Sequence, residues 1–181
     1  AVGNHAALAL AADPAVARLT LLGRRPAANV VGATVAQHAI DIFDPTSYGA
    51  HVAGHSAAIC TLGVGEPSKM SQEEFIRIDH DAVLAFATAC RRADVRHFVL
   101  LSSVGVDARS RSFFLRTKGR LEESLRALEF ERLSLFHPSM ILTPTNRYGF
   151  SQAVILATWP LLSALLVGPL RKFRGVQAST L

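Results

Sequence analysis

The stretch HFVLLSS, residues 97–103, decides the fold of this chain. Four of its first five side chains are apolar, with no regular alternation of polar residues. This is the pattern of a strand that is covered on both faces in a parallel sheet. Other apolar segments also have strand character: VARLTLL (16–22), TVAQHAI (34–40), AAICTLG (57–63) and RLSLF (132–136). Helix-like segments lie between strands, so the sequence predicts an α/β fold with right-handed crossovers and a parallel sheet.

Capping residues mark where the predicted helices begin. The residues SQEE at 71–74 match a capping box, and the helix that they open runs to about Asp94. The pair DP at 44–45 matches an N-cap followed by proline at the first helical position. Leucines recur at helical spacing over residues 112–128. The sequence has no internal repeat or linker, so we expect a single domain over residues 1–181.

Composition excludes several classes of protein. Half of the residues are hydrophobic and 18% are charged, which excludes a disordered chain. The net charge of +5 fits an anionic partner, but Lys and Arg form no block, which favours a phosphate-bearing small molecule over nucleic acid. The histidines and cysteines have no metal-ligand spacing, so we predict no metal site. Cys60 and Cys90 lie in apolar segments and predict buried thiols in a reducing compartment, hence a cytoplasmic protein.

Seven short motifs occur in a recognisable order along almost the whole chain. They are TLLGRRP, CTLG, FIRIDHDAVL, HFVLLSSVGVDARS, KGRLEESL, LSLFHPSMIL and KFRGVQAS. Together they resemble the short-chain dehydrogenase/reductase superfamily, and within it the atypical branch of small NADP(H)-binding proteins related to the HIV Tat-interacting protein. The resemblance implies a Rossmann-type doubly wound parallel sheet with helices on both faces.

The opening residues AVGNHAALAL depart from that family pattern. Family members begin with an apolar strand, a GxxGxxG loop and a helix, and the opening matches only the last glycine and the helix. In the usual strand order the first strand lies at the middle of the sheet. We therefore expect that residues before Ala1 supply this strand and that the domain is incomplete at both termini.

The resemblance assigns NADP(H) binding to the ends of the first strands. Gly3 would let the first helix pack closely, with its N-terminal N–H groups facing the pyrophosphate. Gly23, Arg24 and Arg25 follow the strand after that helix, where arginine suits the 2′-phosphate of NADP; a solvated arginine pair in a loop is the alternative.

Three further residues follow the next two strands. Asp41 would lie near the adenine amino group, with a helix-capping role as its alternative. Leu62 and Gly63 close the strand at 57–63, where a small residue lets the dinucleotide pass. Gly63 as an ordinary turn glycine is the alternative.

The resemblance also implies an active site of serine, tyrosine and lysine. Ser102 or Ser103 matches the serine and Lys118 the lysine, which in the family also binds the nicotinamide ribose. Phe114 occupies the tyrosine position, four residues before Lys118 and on the same side of one helix. Phenylalanine cannot donate a proton, so this site is not competent in the usual way. A solvated helix lysine is the alternative for Lys118.

Two other residues are candidates for the proton source. Tyr148 lies beyond the last predicted strand, where substrate-side residues occur, and packing is its alternative role. His137 stands where relatives commonly have arginine before proline, and an imidazole near the nicotinamide is a candidate acid–base group; a structural histidine is the alternative.

The apolar segment 153–173 contains eighteen consecutive residues without a charge. Pro160 interrupts it, which favours a core or interface helix pair over a membrane span. A homodimer or peripheral membrane contact through 153–170 are the alternatives that involve a partner. The sequence thus supports an NADPH-dependent reductase of a small carbonyl compound with altered chemistry, and alternatively a non-catalytic NADP(H)-binding regulatory or scaffold protein.

Overall fold

The computed structural model of the chain describes residues 2–64, 70–139, 141–142 and 176–177. Tyr148 and the apolar segment 153–173, for which the sequence offered a proton donor and a partner contact, lie outside the described residues.

Helices and strands alternate through the described part of the chain. The helices are α1 (Val2–Ala12), α2 (Gly49–Val52), α3 (Gln72–Ile76), α4 (Val83–Arg92) and α5 (Phe113–Arg126). The strands are β1 (Leu19–Gly23), β2 (Val35–Ala39), β3 (Ala57–Cys60), β4 (His97–Leu101), β5 (Arg132–Phe136), β6 (Ile141–Leu142) and β7 (Val176–Gln177). Each of the five predicted strands is present, so the predicted α/β order is confirmed.

Every pair among the described strands is parallel. The strand orders are β1-β2, β3-β4-β5 and β6-β7. In the three-stranded sheet, Val99 of β4 lies opposite Ile59 of β3 and Ser134 of β5. Phe98 and Leu100 of β4 are fully buried, whereas the other face of the strand is only partly covered. β4 therefore has one face deep in the core and one half-covered face, rather than two equally covered faces.

The core lies between β4 and the two long helices α4 and α5. Its fully buried members include Val83, Ala87 and Cys90 of α4 and Leu121 and Leu125 of α5. These residues recur at intervals of three and four, which places them on one helical face. This packing fixes α5 against the sheet and thereby fixes the polar residues that α5 carries at the end of the strands.

The helix predicted from residue 71 begins as expected but is interrupted. Ser71 accepts a hydrogen bond from the Glu74 backbone N–H, and the Glu74 carboxylate accepts one from the Ser71 N–H, which confirms the capping box. A π-helical turn at Arg77–Ala82 then separates α3 from α4. A π turn adds a residue to the helical repeat and shifts the buried face. As a result Asp79 is fully buried.

The helix predicted after Asp44 is shorter than expected. Asp44 does act as an N-cap, because its Oδ1 accepts the Thr46 backbone N–H at 2.9 Å. Pro45–Ser47, however, form a 3₁₀ turn rather than an α-helix, and only the four residues of α2 follow. The hydrogen bonds from Thr46 also lower the pKa of Asp44 below its ordinary value.

A cavity of about 770 Å³ separates β1 from β3. Residues of both strands, together with α1 and α4, line it. Among the described strands, β1 pairs only with β2, and β3 pairs only with β4. A parallel strand placed in this cavity would pair with both edges, and we propose that such a strand completes the sheet.

Gly119→Ala is expected to destabilise the fold by about 1–3 kcal/mol, as overpacking does. A Cβ at Gly119 of α5 would overlap the backbone of Asp107 and Ala108, which cannot move as a side chain can. Gly49 of α2 is the matched control, because a Cβ there meets nothing within 4 Å. Urea denaturation should show a lower midpoint for Gly119→Ala and little change for Gly49→Ala. Equal midpoints would contradict the close packing of α5.

Candidate active site and cofactor cleft

The carboxyl ends of β1, β3, β4 and β5 carry most of the predicted site residues. Parallel strands point the same way, and ligands of open α/β sheets bind at this edge. α1 reaches the edge at the end of β3, where a Cβ on Gly3 would lie 2.5 Å from Thr61 Oγ1. Gly3 thus permits the close helix packing that the sequence predicted for it.

Arg24 and Arg25 follow directly after β1, and both side chains are exposed. Within the described residues neither guanidinium forms a hydrogen bond or an ion pair. The backbone between them and β2 is fixed, because the Ile40 N–H donates to the Gly23 carbonyl at 3.0 Å. Two cationic donors are therefore held on a rigid strand end and remain available to an anionic ligand.

Asp41 lies at the end of β2, beside this strand end. Its Oδ1 accepts the Phe43 backbone N–H at 2.9 Å, which forms a tight turn. The capping role that the sequence left open for Asp41 belongs instead to Asp44, one turn further along.

Lys118 is buried and paired with a carboxylate that the sequence analysis did not identify. Its side chain is 6% exposed, and Nζ lies 2.5 Å from Oδ1 of Asp79, whose side chain is 1% exposed. Asp79 Oδ2 also accepts the Val64 backbone N–H at 2.7 Å. The alternative of a solvated helix lysine is therefore wrong.

Gly63 lies against this ion pair. A Cβ at Gly63 would be 3.2 Å from Asp79 Oδ1 and 3.5 Å from Lys118 Nζ. The glycine, with Leu62 before it, therefore lets the charged pair lie close to the backbone that follows β3. This is the position where the sequence predicted the dinucleotide to pass.

Phe114 packs one helical turn before Lys118, against the turn before Asp79. Its ring centroid lies 5.6 Å from that of Phe75, with the two planes tilted by 49°. Phe114 of α5 therefore contacts Phe75 of α3, and one turn later Lys118 of α5 contacts Asp79 of the π-helical turn. Phe114 occupies the predicted tyrosine position as a packing residue and carries no proton-donating group.

A second buried carboxylate, Glu122, lies one turn after Lys118 on α5 and was also missed. Ser102 Oγ donates to Glu122 Oε1 at 2.6 Å, and His137 Nε2 lies 2.7 Å from the same oxygen. Arg126 Nη2 donates to Oε2 at 3.1 Å. The Ser102 hydroxyl is committed to Glu122, whereas Ser103 is only partly buried and has no side-chain hydrogen bond within the described residues.

The remaining ionisable groups give no sign of a metal centre or a reactive thiol. In the part of the chain that the structure describes, no three His, Cys, Asp or Glu residues cluster as metal ligands. Cys60 and Cys90 are free and buried. Burial raises the pKa of Cys60 to about 11 and that of Cys90 to about 12, so both remain thiols at neutral pH. No helix among the described residues is long and apolar enough to span a membrane.

Comparison with known proteins identifies the family of the chain. A family model described as NAD(P)H-binding matches residues 1–132. Protein HTATIP2 of Rattus norvegicus is 35% identical over 127 residues, covering 69% of this chain and 52% of that protein. The mitochondrial protein fmp52 of Emericella nidulans is 34% identical over 145 residues, covering 77% of this chain and 62% of that protein. The chain thus spans little more than half the length of these relatives.

Solved structures share the fold at low sequence identity. The ADP-L-glycero-D-manno-heptose-6-epimerase of Helicobacter pylori superposes with a TM-score of 0.64 and 15% identity, covering 80% of this chain and 53% of that chain. The triphenylmethane reductase of Citrobacter sp., solved with NADP(H), gives 0.58 and 17%, covering 77% and 46%. Both confirm the Rossmann-type architecture.

The expectation of a cytoplasmic location is wrong by these comparisons, because the fungal relatives are named as mitochondrial proteins. The inference from buried thiols failed because reduced cysteines do not distinguish the cytoplasm from other reducing compartments. The family match and the parallel α/β architecture agree: this chain belongs to the NAD(P)H-binding family, has a Rossmann-type fold and is similar to HTATIP2.

Proposed function

We propose that the protein binds NADP(H) in preference to NAD(H) and acts as an NADPH-dependent reductase of a small carbonyl compound. The observation that carries the proposal is the pair of exposed, uncommitted guanidinium groups at the end of β1, Arg24 and Arg25. A guanidinium forms charge-assisted, often bidentate hydrogen bonds with phosphate. An NAD-preferring site usually has an acidic residue near this position to bind the ribose hydroxyls.

The residues at the strand ends support a dinucleotide site at the carboxyl edge of the sheet. Gly3 permits α1 to pack closely against Thr61, and Gly63 permits the Asp79–Lys118 pair to lie close to the backbone after β3. The N-terminus of α1 would face the pyrophosphate, and Asp41 would lie near the adenine. Lys118 would anchor the nicotinamide ribose with the ammonium hydrogens that Asp79 does not use.

Reduction at this site differs from the usual family chemistry in its proton transfer. The bound nicotinamide would supply a hydride to the carbonyl carbon. Ser103 would donate a hydrogen bond to the carbonyl oxygen and orient it, since Ser102 is committed to Glu122. Phe114 cannot protonate that oxygen, and the loss of a positioned acid costs about 10²- to 10⁴-fold in rate.

The second candidate is a non-catalytic NADP(H)-binding regulatory or scaffold protein. Phe114 and the neutralisation of Lys118 by Asp79 favour it, because a lysine paired with a carboxylate is less able to activate a neighbouring group. Both candidates require the same cofactor, so the cofactor test comes first.

Replacing both Arg24 and Arg25 with alanine should weaken NADPH binding about 10- to 100-fold, because hydrogen bonds to charged groups contribute about 1.5–3 kcal/mol. NADH binding should change little, since NADH lacks the 2′-phosphate. Fluorescence titration measures both affinities. Arg92→Ala is the control, because this exposed residue ends α4 at the opposite edge of the sheet. An equal loss of affinity for NADPH and for NADH would contradict the contact of these arginines with the 2′-phosphate.

A further inference from the structure

Glu122 is a buried carboxylate that ties together α5 and the ends of β4 and β5. Only 4% of its side chain is exposed. A buried charge is costly unless it is hydrogen-bonded, and here Ser102, His137 and Arg126 surround it. The cluster therefore forms a satisfied network that fixes the imidazole of His137.

One ring nitrogen of His137, Nε2, contacts Glu122, whereas Nδ1 is available to a ligand. Its Nε2 lies 2.7 Å from Glu122 Oε1. Because an ionised carboxylate only accepts hydrogen bonds, we assign a proton to Nε2. Nδ1 has no hydrogen-bond partner within the described residues, and 42% of the side chain is exposed. A carboxylate that accepts a hydrogen bond from one imidazole nitrogen orients the ring, so that Nδ1 is directed away from Glu122.

His137 and Ser103, the serine proposed to orient the carbonyl, follow the ends of the neighbouring strands β5 and β4. The Ser102 backbone N–H donates to the Phe136 carbonyl at 2.8 Å, so β4 and β5 remain paired up to the residue before His137. Ser103 and His137 thus leave the sheet at adjacent positions on the carboxyl edge. Glu122 follows Lys118 by one turn on the same helix, and both side chains are buried.

We propose that His137, oriented by Glu122, is the proton donor that replaces the absent tyrosine; this deepens the proposed reductase function and rests on it. The carbonyl carbon accepts the hydride that the nicotinamide supplies, and the carbonyl oxygen takes the Nδ1 proton of the imidazolium. The cofactor is oxidised by two electrons and the carbonyl is reduced to an alcohol. The neutral imidazole keeps its Nε2 proton, which remains hydrogen-bonded to Glu122, and Nδ1 regains a proton from water. His137 is the catalytic residue, whereas Glu122 and Ser102 are positioning residues.

The test is loss and chemical rescue of NADPH-dependent carbonyl reduction in the full chain. His137→Ala should lower kcat about 10²- to 10⁴-fold without changing the Kd for NADPH, and added imidazole should restore part of kcat. Imidazole should not rescue a variant whose defect is structural. Glu122→Gln keeps the hydrogen-bonding shape but loses the charge, and it should lower kcat more than it raises KM. His97→Ala is the control, because His97 begins β4 at the opposite edge and contacts Ser134.

A double variant tests the role of His137 as proton donor independently of its effect on folding and of the proposed reductase function. In a Phe114→Tyr background a phenol is present, so removing His137 should lower kcat much less than in the wild type. His137→Gln, which can still donate to Glu122, replaces His137→Ala if the alanine variant fails to fold. Full activity of folded His137→Ala, or loss without imidazole rescue, overturns the inference while leaving the reductase proposal standing. A wild-type protein that binds NADPH but reduces no carbonyl overturns the reductase proposal and, with it, the inference.

Discussion

Phe114→Tyr introduced into the His137→Ala variant is expected to raise kcat for NADPH-dependent carbonyl reduction by about 10²-fold or more, the contribution of a positioned general acid, because the phenol supplies the proton that this variant lacks. The new hydroxyl would stand four residues before Lys118 on the same side of α5, within reach of the same edge of the sheet. The ring already packs against Phe75 at 5.6 Å, so the substitution adds one oxygen to an existing position. NADPH oxidation over a panel of small aldehydes and ketones measures the gain.

Phe113→Tyr is the matched control for that experiment. Phe113 is the neighbouring residue, its ring also lies 5.6 Å from Phe75, and it lacks the four-residue spacing to Lys118. A tyrosine there should leave kcat unchanged. If neither variant nor the wild type oxidises NADPH while all of them bind it, the non-catalytic role is favoured.

Asp79→Ala is expected to destabilise the protein by about 3–5 kcal/mol, the effect of removing one partner of a buried ion pair. Lys118 would be left as an uncompensated charge with only 6% of its side chain exposed. The Val64 N–H would also lose its acceptor, which loosens the backbone after Gly63. Urea denaturation followed by circular dichroism gives the change in the free energy of unfolding.

Asp81→Ala is the control for the stability experiment. Asp81 lies two residues further on the same turn, but 61% of its side chain is exposed and it pairs with His80 at the surface. Exposed pairs contribute about 0–1 kcal/mol. Replacing both members of the buried pair, as Asp79→Leu with Lys118→Met, should recover much of the lost stability. If Asp79→Ala is no less stable than Asp81→Ala, Asp79 does not hold Lys118 in a buried pair.

The sequence predicts those parts of the fold that depend on local chemistry. The capping box at Ser71 and Glu74 and the strand β4 form where the pattern placed them. Backbone hydrogen bonding and hydrophobic periodicity act over a few residues, so a single sequence contains them. The division of the described strands into separate sheets depends on long-range pairing, which no local pattern specifies.

The two buried carboxylates show why the site could be predicted only in part. Lys118 and the two serines were identified because HFVLLSS and KGRLEESL resemble motifs of a known family. Asp79 was missed because a π turn, which the regular helical repeat does not predict, brings it into the buried face of the helix. Glu122 was missed because its partners, Ser102 and His137, are distant in sequence. Its spacing of four residues after Lys118 was the one local signal that could have identified it.

Calorimetric titration of the full-length protein with NADPH and with NADH tests most directly whether Arg24 and Arg25 bind the 2′-phosphate of the cofactor. The assignment of Arg24 and Arg25 to the 2′-phosphate predicts that NADPH binds at least about tenfold more tightly, since one charge-assisted contact supplies more than 1.4 kcal/mol. The preference should disappear when both arginines are replaced. Equal affinity for the two nucleotides, or no binding of either, would contradict the assignment of Arg24 and Arg25 to the 2′-phosphate.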